Sequence, residues 1–160
     1  MPSGDLTARE IVAAVRDPEL PILTIAELGV LRSVDIDRDG TVEVVLTPTY
    51  SGCPATEVMR VDVLEALQAA GYSRASVRFE LFPPWTSDSL SAGARAALAE
   101  AGIVPPSDPG QQIPLTWSLK CPKCGSLRTG EISHFGATSC RSLWRCQACG
   151  EPFEYFKAIR

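Results

Sequence analysis

One histidine, His134, serves the whole 160-residue sequence. That scarcity closes most acid–base mechanisms built on imidazole. Nothing resembles a Ser-His-Asp triad, a phosphate-cradling glycine loop or a dinucleotide fingerprint, so common hydrolase, nucleotide-hydrolysing and dehydrogenase chemistries have no foothold. No apolar run approaches the roughly 20 residues a membrane helix needs. Met1-Pro2-Ser3-Gly4-Asp5 carries no basic-then-apolar leader, so a soluble cytoplasmic protein without membrane business is expected. Internal repeats and low-complexity tracts are missing too.

Apolar residues make up 45% of the chain, enough for a real core. The length suits one ordinary domain, or a smaller one with an added module. The net charge of −4 hides an asymmetry: residues 1–110 hold 8 Lys/Arg against 16 Asp/Glu, and residues 111–160 hold 7 against 3. Two modules of opposite field fit better than one uniform domain. The basic part could face nucleic acid, an acidic partner, or the acidic part of the same chain.

Thr7-Ala8-Arg9-Glu10 spells a capping box, with Leu6 and Ile11 placed as a hydrophobic staple. The predicted short helix runs to about Arg16 and stops at Asp17-Pro18-Glu19-Leu20-Pro21. Leu31 to Ile36 and Thr41 to Thr47 read as antiparallel strands joined by Asp37-Arg38-Asp39-Gly40. A helix over Ala55 to Ala70 buries Met59, Val63, Ala66, Leu67 and Ala70, with Gly71 as its stop. Ser76 to Phe82 alternates as a third strand. Thr86, Ser87 or Asp88 then caps an Ala-rich helix that ends at Gly102. The order α-β-β-α-β-α, with a right-handed crossover, predicts an α+β domain around a small three-stranded mixed sheet and sets Trp85 and Thr86 beside Cys53. This domain is expected over 1–104, a Pro/Gly-rich linker over 105–114, and a β-rich ribbon over 115–160.

The expected centre of the first domain is Thr47-Pro48-Thr49-Tyr50-Ser51-Gly52-Cys53-Pro54, at the strand-to-helix switch where α/β sheets place their chemistry. Pro54 suits the first helical position and Cys53 the N-cap. Amides and the helix dipole there should lower the thiol's pKa below its free value of about 8.5. Gly52 permits a tight turn, and the Thr47, Thr49, Tyr50 and Ser51 hydroxyls lie near. The competing reading is a small cysteine packed under a helix.

Cys121-Pro122-Lys123-Cys124-Gly125 and Cys146-Gln147-Ala148-Cys149-Gly150 are matching knuckles. A two-residue gap lets both thiolates reach one ion, so Cys121, Cys124, Cys146 and Cys149 predict a tetrahedral structural zinc. An iron–sulfur cluster on the same sulfurs is the rival. Some 50 residues bury little unaided, so the metal is expected to hold the ribbon folded. Cys140 reads as a small core residue, with a reactive thiol or alternate ligand as the other option. His134 reads as surface. Trp144, Phe153, Tyr155 and Phe156 read as packing.

Asp17-Pro18-Glu19-Leu20, Glu27-Leu28-Gly29-Val30 and Thr47 through Pro54 resemble the small iron–sulfur-assembly domain shared by SufT and eukaryotic cytosolic cluster-targeting factors. The Thr47–Pro54 stretch, Pro84-Trp85-Thr86 with Asp88, and Cys149-Gly150-Glu151-Pro152-Phe153 narrow the resemblance to the PaaD (PaaJ) family, component D of the phenylacetyl-CoA epoxidase system. Ser89 departs from that pattern, where a bulky aromatic is expected. The resemblance implies an accessory protein of phenylacetate degradation, not catalytic alone. It would help to assemble iron or iron–sulfur centres in the oxygenase and reductase subunits. The thiolate of Cys53 would carry the transient iron or cluster, with Asp17, Glu19 and Thr49 as neighbours. A structural or electron-path subunit of the oxygenase is the alternative, and a nucleic-acid-binding ribbon a third reading that an acidic chain disfavours. A homodimer stays open.

Overall fold

The computed structural model describes residues 7–108, 110 and 118–160. Leu6 of the expected staple, and residues 109 and 111–114 of the expected linker, lie outside them. The chain divides into two units, Met1–Trp85 and Thr86–Arg160. Its class is mixed α+β, with a three-stranded mixed sheet and a second, four-stranded sheet.

In the first unit α1 spans Ala8–Ala13, β1 Leu31–Ile36, β2 Val42–Leu46, α2 Ala55–Ala69 and β3 Ala75–Phe79. The capping box forms as read: the Glu10 amide donates to Thr7 Oγ1, and the Thr7 amide to Glu10 Oε2 at 2.7 Å. A second reciprocal cap closes the next turn, where the Thr24 amide donates to Glu27 and the Glu27 amide to Thr24. This fixes an irregular connection whose Leu20, Leu23, Ile25, Leu28 and Val30 all reach the core. At the β1–β2 turn, Asp37 Oδ1 accepts the Asp39 and Thr41 amides and Gly40 takes φ +78°. β1 pairs antiparallel with β2, and β2 pairs parallel with β3, with Leu46 level with Phe79. β2 is the central strand, and Val42, Val44 and Leu46 on it are fully buried. Met59, Val63 and Leu67 of α2 are buried as well, at the spacing of one helical face, whereas Ala66 is half-buried and Ala70, at the helix end, is exposed.

β3 ends at Phe79, three residues short of the expected strand. The alternation runs on through Leu81, but β2, the strand that β3 pairs with, ends at Leu46 level with Phe79, so Leu81 and Phe82 leave the sheet exposed.

In the second unit a 3₁₀ turn over Ser87–Ser89 precedes α3 (Ala92–Glu100). The N-cap is Ser91, whose hydroxyl accepts the Ala94 amide, and not Thr86, Ser87 or Asp88. Then follow β4 (Ile103–Val104), β5 (Thr129–Ser133), β6 (Arg141–Cys146) and β7 (Pro152–Phe156), in the sheet order β4-β7-β6-β5.

The Ala-rich helix lies in the second unit. Two features hold it there. β4 pairs parallel with β7. Buried Arg95 donates to the carbonyls of Ser87, Pro106 and Ser107 at 2.7–2.9 Å. Composition marks prolines readily but cannot reveal a strand two residues long.

Candidate functional site

Two cysteine sites emerge, one in each unit. In the first, β2 ends at Leu46 and the chain turns through Gly52, φ +78°, into α2. Cys53 sits one residue outside the helix, where Pro54 is the N-cap, and the Cys53 carbonyl accepts the Thr56 amide and hydroxyl. Its side chain is only 6% exposed.

This corrects the expected ionisation. Burial pushes the Cys53 thiol above the ordinary range, against the pull of the Ala55 amide and the Tyr50 hydroxyl. The nearby Glu19 and Asp17 carboxylates raise it further. The amide contact expected from the helix start is present, but desolvation outweighs it. Without a bound cation, Cys53 is a thiol. In protein whose knuckle cysteines are metal-bound and whose Cys140 is changed to Ala, iodoacetamide should modify Cys53 slowly at neutral pH. The rate should climb only above the usual cysteine range, and a rate levelling near neutrality would contradict this environment.

Asp17 is buried, and its Oδ1 accepts the Glu19 and Leu20 amides at 3.0 and 2.7 Å. It thus shapes the turn and also charges the site. Glu19 is half-buried. Thr49 is half-buried. The Thr47 hydroxyl is buried and accepts a 2.8 Å bond from Arg32 Nε, while Arg32 Nη2 donates to the Pro83 carbonyl at 2.7 Å. Arg32 therefore ties the loop after β2 to the loop after β3. Sequence reasoning missed it because it lies on β1, 15 residues from Thr47. Its place opposite β2, inside a half-buried strand, was the available signal. Trp85 is 2% exposed and gives its indole N–H to the Leu28 carbonyl at 2.9 Å.

In the second unit the sulfurs of Cys121, Cys124, Cys146 and Cys149 all lie within 4.8 Å of one another. The two knuckles repeat one pattern. Gly125 and Gly150 take φ near +75° and donate to the carbonyls of Cys121 and Cys146, each at 2.9 Å. The amides of Cys121 and Cys146 in turn donate to Ser126 and Glu151, also at 2.9 Å. The turned amides aim at sulfur: those of Cys124 and Lys123 lower Cys121, and those of Cys149 and Ala148 hold Cys146 down to about 6. The Ser126 amide favours a Cys124 thiolate, but the Cys146 sulfur and its neighbours push it up to about 11. Four sulfurs this close share protons until a cation replaces them.

The size also fits one ion. A metal–sulfur bond of about 2.3 Å gives a tetrahedron edge of about 3.8 Å. The pairs across the knuckles are 3.6 Å apart for Cys124–Cys146 and 3.8 Å for Cys121–Cys149. Cys121, Trp144, Cys146 and Phe153 form one buried cluster beside it. Cys140 is outside the group, buried, with its sulfur 3.0 Å from the Thr138 hydroxyl. His134 is exposed beside Glu131.

Known proteins divide the chain in a similar way. Residues 7–79 match a family model described as iron-sulfur cluster assembly protein, and residues 105–157 one described as PaaD zinc beta ribbon domain. An Escherichia coli (strain K12) protein, named as the D component of a "Putative 1,2-phenylacetyl-CoA epoxidase", is 43% identical over 93% of this chain and 90% of its own length. The "Fe-S protein maturation auxiliary factor YitW" of Bacillus subtilis (strain 168) is 36% identical over 52% of this chain and 82% of its own. A crystal structure of a domain of unknown function, DUF59, from Bacillus anthracis shares 29% identity, covers 57% of this chain and 87% of that one, and gives a TM-score of 0.53. No helix among the described residues is long and apolar enough to cross a membrane. Joining an assembly domain to this particular ribbon, and matching the Escherichia coli protein along nearly its full length, the chain belongs to the PaaD family.

Proposed function

We propose that this chain is a cytoplasmic maturation factor of the phenylacetyl-CoA epoxidase system. It binds iron or an iron–sulfur cluster at Cys53 and passes it to an oxygenase or reductase subunit. The metal is cargo and the chain is no catalyst by itself. The observation carrying this reading is the environment of the Cys53 sulfur, which combines an amide, a phenol hydroxyl and the field of two carboxylates.

Burial is the main force against a bare thiolate, and the Glu19 and Asp17 charges that add to it also favour a cation placed on the sulfur. The site therefore holds a proton at rest. On loading, the sulfur–hydrogen bond is exchanged for a sulfur–metal bond, the proton leaves to water, and no electron changes hands. Few protein ligands and a soft donor suit a metal that must leave again. Residues 1–85 serve this exchange. In the second unit Cys121, Cys124, Cys146 and Cys149 hold a structural zinc. Single-ion spacing supports zinc over a cluster, which would spread its thiolates across separate irons.

Elemental analysis and absorption spectroscopy of protein isolated without oxygen test both assignments. Wild type should carry one zinc and substoichiometric iron with visible charge-transfer bands. The Cys53→Ser variant should keep the zinc and lose the iron and the bands. Equal iron in both proteins would remove Cys53 from the reading.

A further inference from the structure

Leu81, Phe82, Pro83 and Pro84 are four consecutive exposed apolar residues. Phe82 is 83% exposed, the highest of the exposed large apolar side chains among the described residues, and Leu81 is 61% exposed. Single exposed apolar residues are ordinary. Unbroken runs of them are not, outside functional surfaces.

The backbone beneath them is tightly held. The Glu80 amide donates to the Leu46 carbonyl at 2.9 Å, Arg32 grips the Pro83 carbonyl, and Trp85 is buried with its indole bonded to Leu28. A loop fixed at both ends that still displays leucine and phenylalanine to water is preorganised for contact. Its position is equally specific. β2 and β3 are parallel and level at Leu46 and Phe79, so the loop leaves the same sheet end as the segment running to Cys53. The unit that carries the loop is acidic overall: residues 1–85 hold 13 Asp/Glu against 7 Lys/Arg.

We infer that Leu81–Pro84 is the docking tip through which this chain seats on the subunit receiving cargo from Cys53. The partner surface is an apolar pocket rimmed by lysine and arginine, complementary to an apolar tip in an acidic field. This rests on the maturation reading and adds the surface that directs it.

The test uses full-length, zinc-loaded protein and the metal-free oxygenase and reductase subunits of the same organism's epoxidase, with affinity measured by calorimetry. Leu81→Ser with Phe82→Ser should weaken binding to one subunit by about tenfold or more. Both positions are exposed, so the thermal midpoint should hold, and Phe82→Trp should retain binding. Wild-type affinity should fall as salt rises. An unchanged Kd in the double variant overturns the proposal, as does wild type that binds no subunit. So does a variant whose only change is dimer to monomer, or loss of binding to phosphatidylglycerol vesicles, since the tip would then serve a second copy or a lipid surface. Cys53→Ser separates the two ideas, because it should bind like wild type. If it also delivers iron normally while the tip variant binds weakly, the cargo reading falls and the docking tip stands.

Discussion

Changing Cys53 to Ala should reduce the iron content of the co-expressed oxygenase or reductase subunit to the level found when this chain is absent. The fold should persist, with a measurable loss of stability. Cys53 is 6% exposed and behaves as a small apolar side chain, so removing its sulfur costs about 1 kcal/mol. In a unit of this size that lowers the thermal midpoint by about 4–8 °C. Cys140→Ala is the matched control. It removes a sulfur of similar burial, 8% exposed, in the other unit, where no cargo role is assigned. Both variants should therefore lose similar stability, and only one should lose delivery. Iron content and melting curves, measured together on the two proteins, decide it. Normal iron with Cys53→Ala would leave the strand-to-helix switch without a chemical role.

Stripping the ribbon metal should have the largest effect on stability. A structural zinc on four thiolates contributes about 10–16 kcal/mol in small peptide modules. That matches or exceeds the entire 5–15 kcal/mol that holds an ordinary domain. Cys146 is fully buried and shares a cluster with Cys121, Trp144 and Phe153, so the four-sulfur site and the apolar core form one structure. Cys146→Ser, or chelation with a competing zinc dye after thiol modification, should release one equivalent of metal. Dispersed amide resonances of β6 and β7 should collapse, and those of Val42–Leu46 in β2 should persist. Surviving dispersion in β6 would mean that apolar packing alone suffices and that the knuckles merely decorate it.

Much of this was legible before any coordinates. The capping box at Thr7 and Glu10, the buried face of Met59, Val63 and Leu67, and the two knuckles all rest on local spacing, which sequence records directly. The contacts around the Ala-rich helix were not. Arg95 of Ala92–Glu100 reaches three carbonyls 8 to 12 residues away, and the two residues of β4 pair with the distant β7, which periodicity does not record. The ionisation of Cys53 also failed to follow from sequence. The amide donor could be foreseen, but its balance against burial and the Asp17 and Glu19 charges is a three-dimensional quantity. Arg32 was invisible for the same reason, since both its acceptors come from other strands' loops.

That guanidinium has a consequence for how the chain can vary. By gripping Thr47 and Pro83 at once, it converts the fixed spacing of neighbouring strands into the separation of two excursions from the sheet. An inserted residue in either excursion would pull one acceptor off its nitrogen and strand the other. Length changes are therefore easier at the opposite end, around Asp37–Gly40, where Asp37 closes the turn locally and the contact from outside is an exposed one, Arg74 donating to the Asp39 carbonyl.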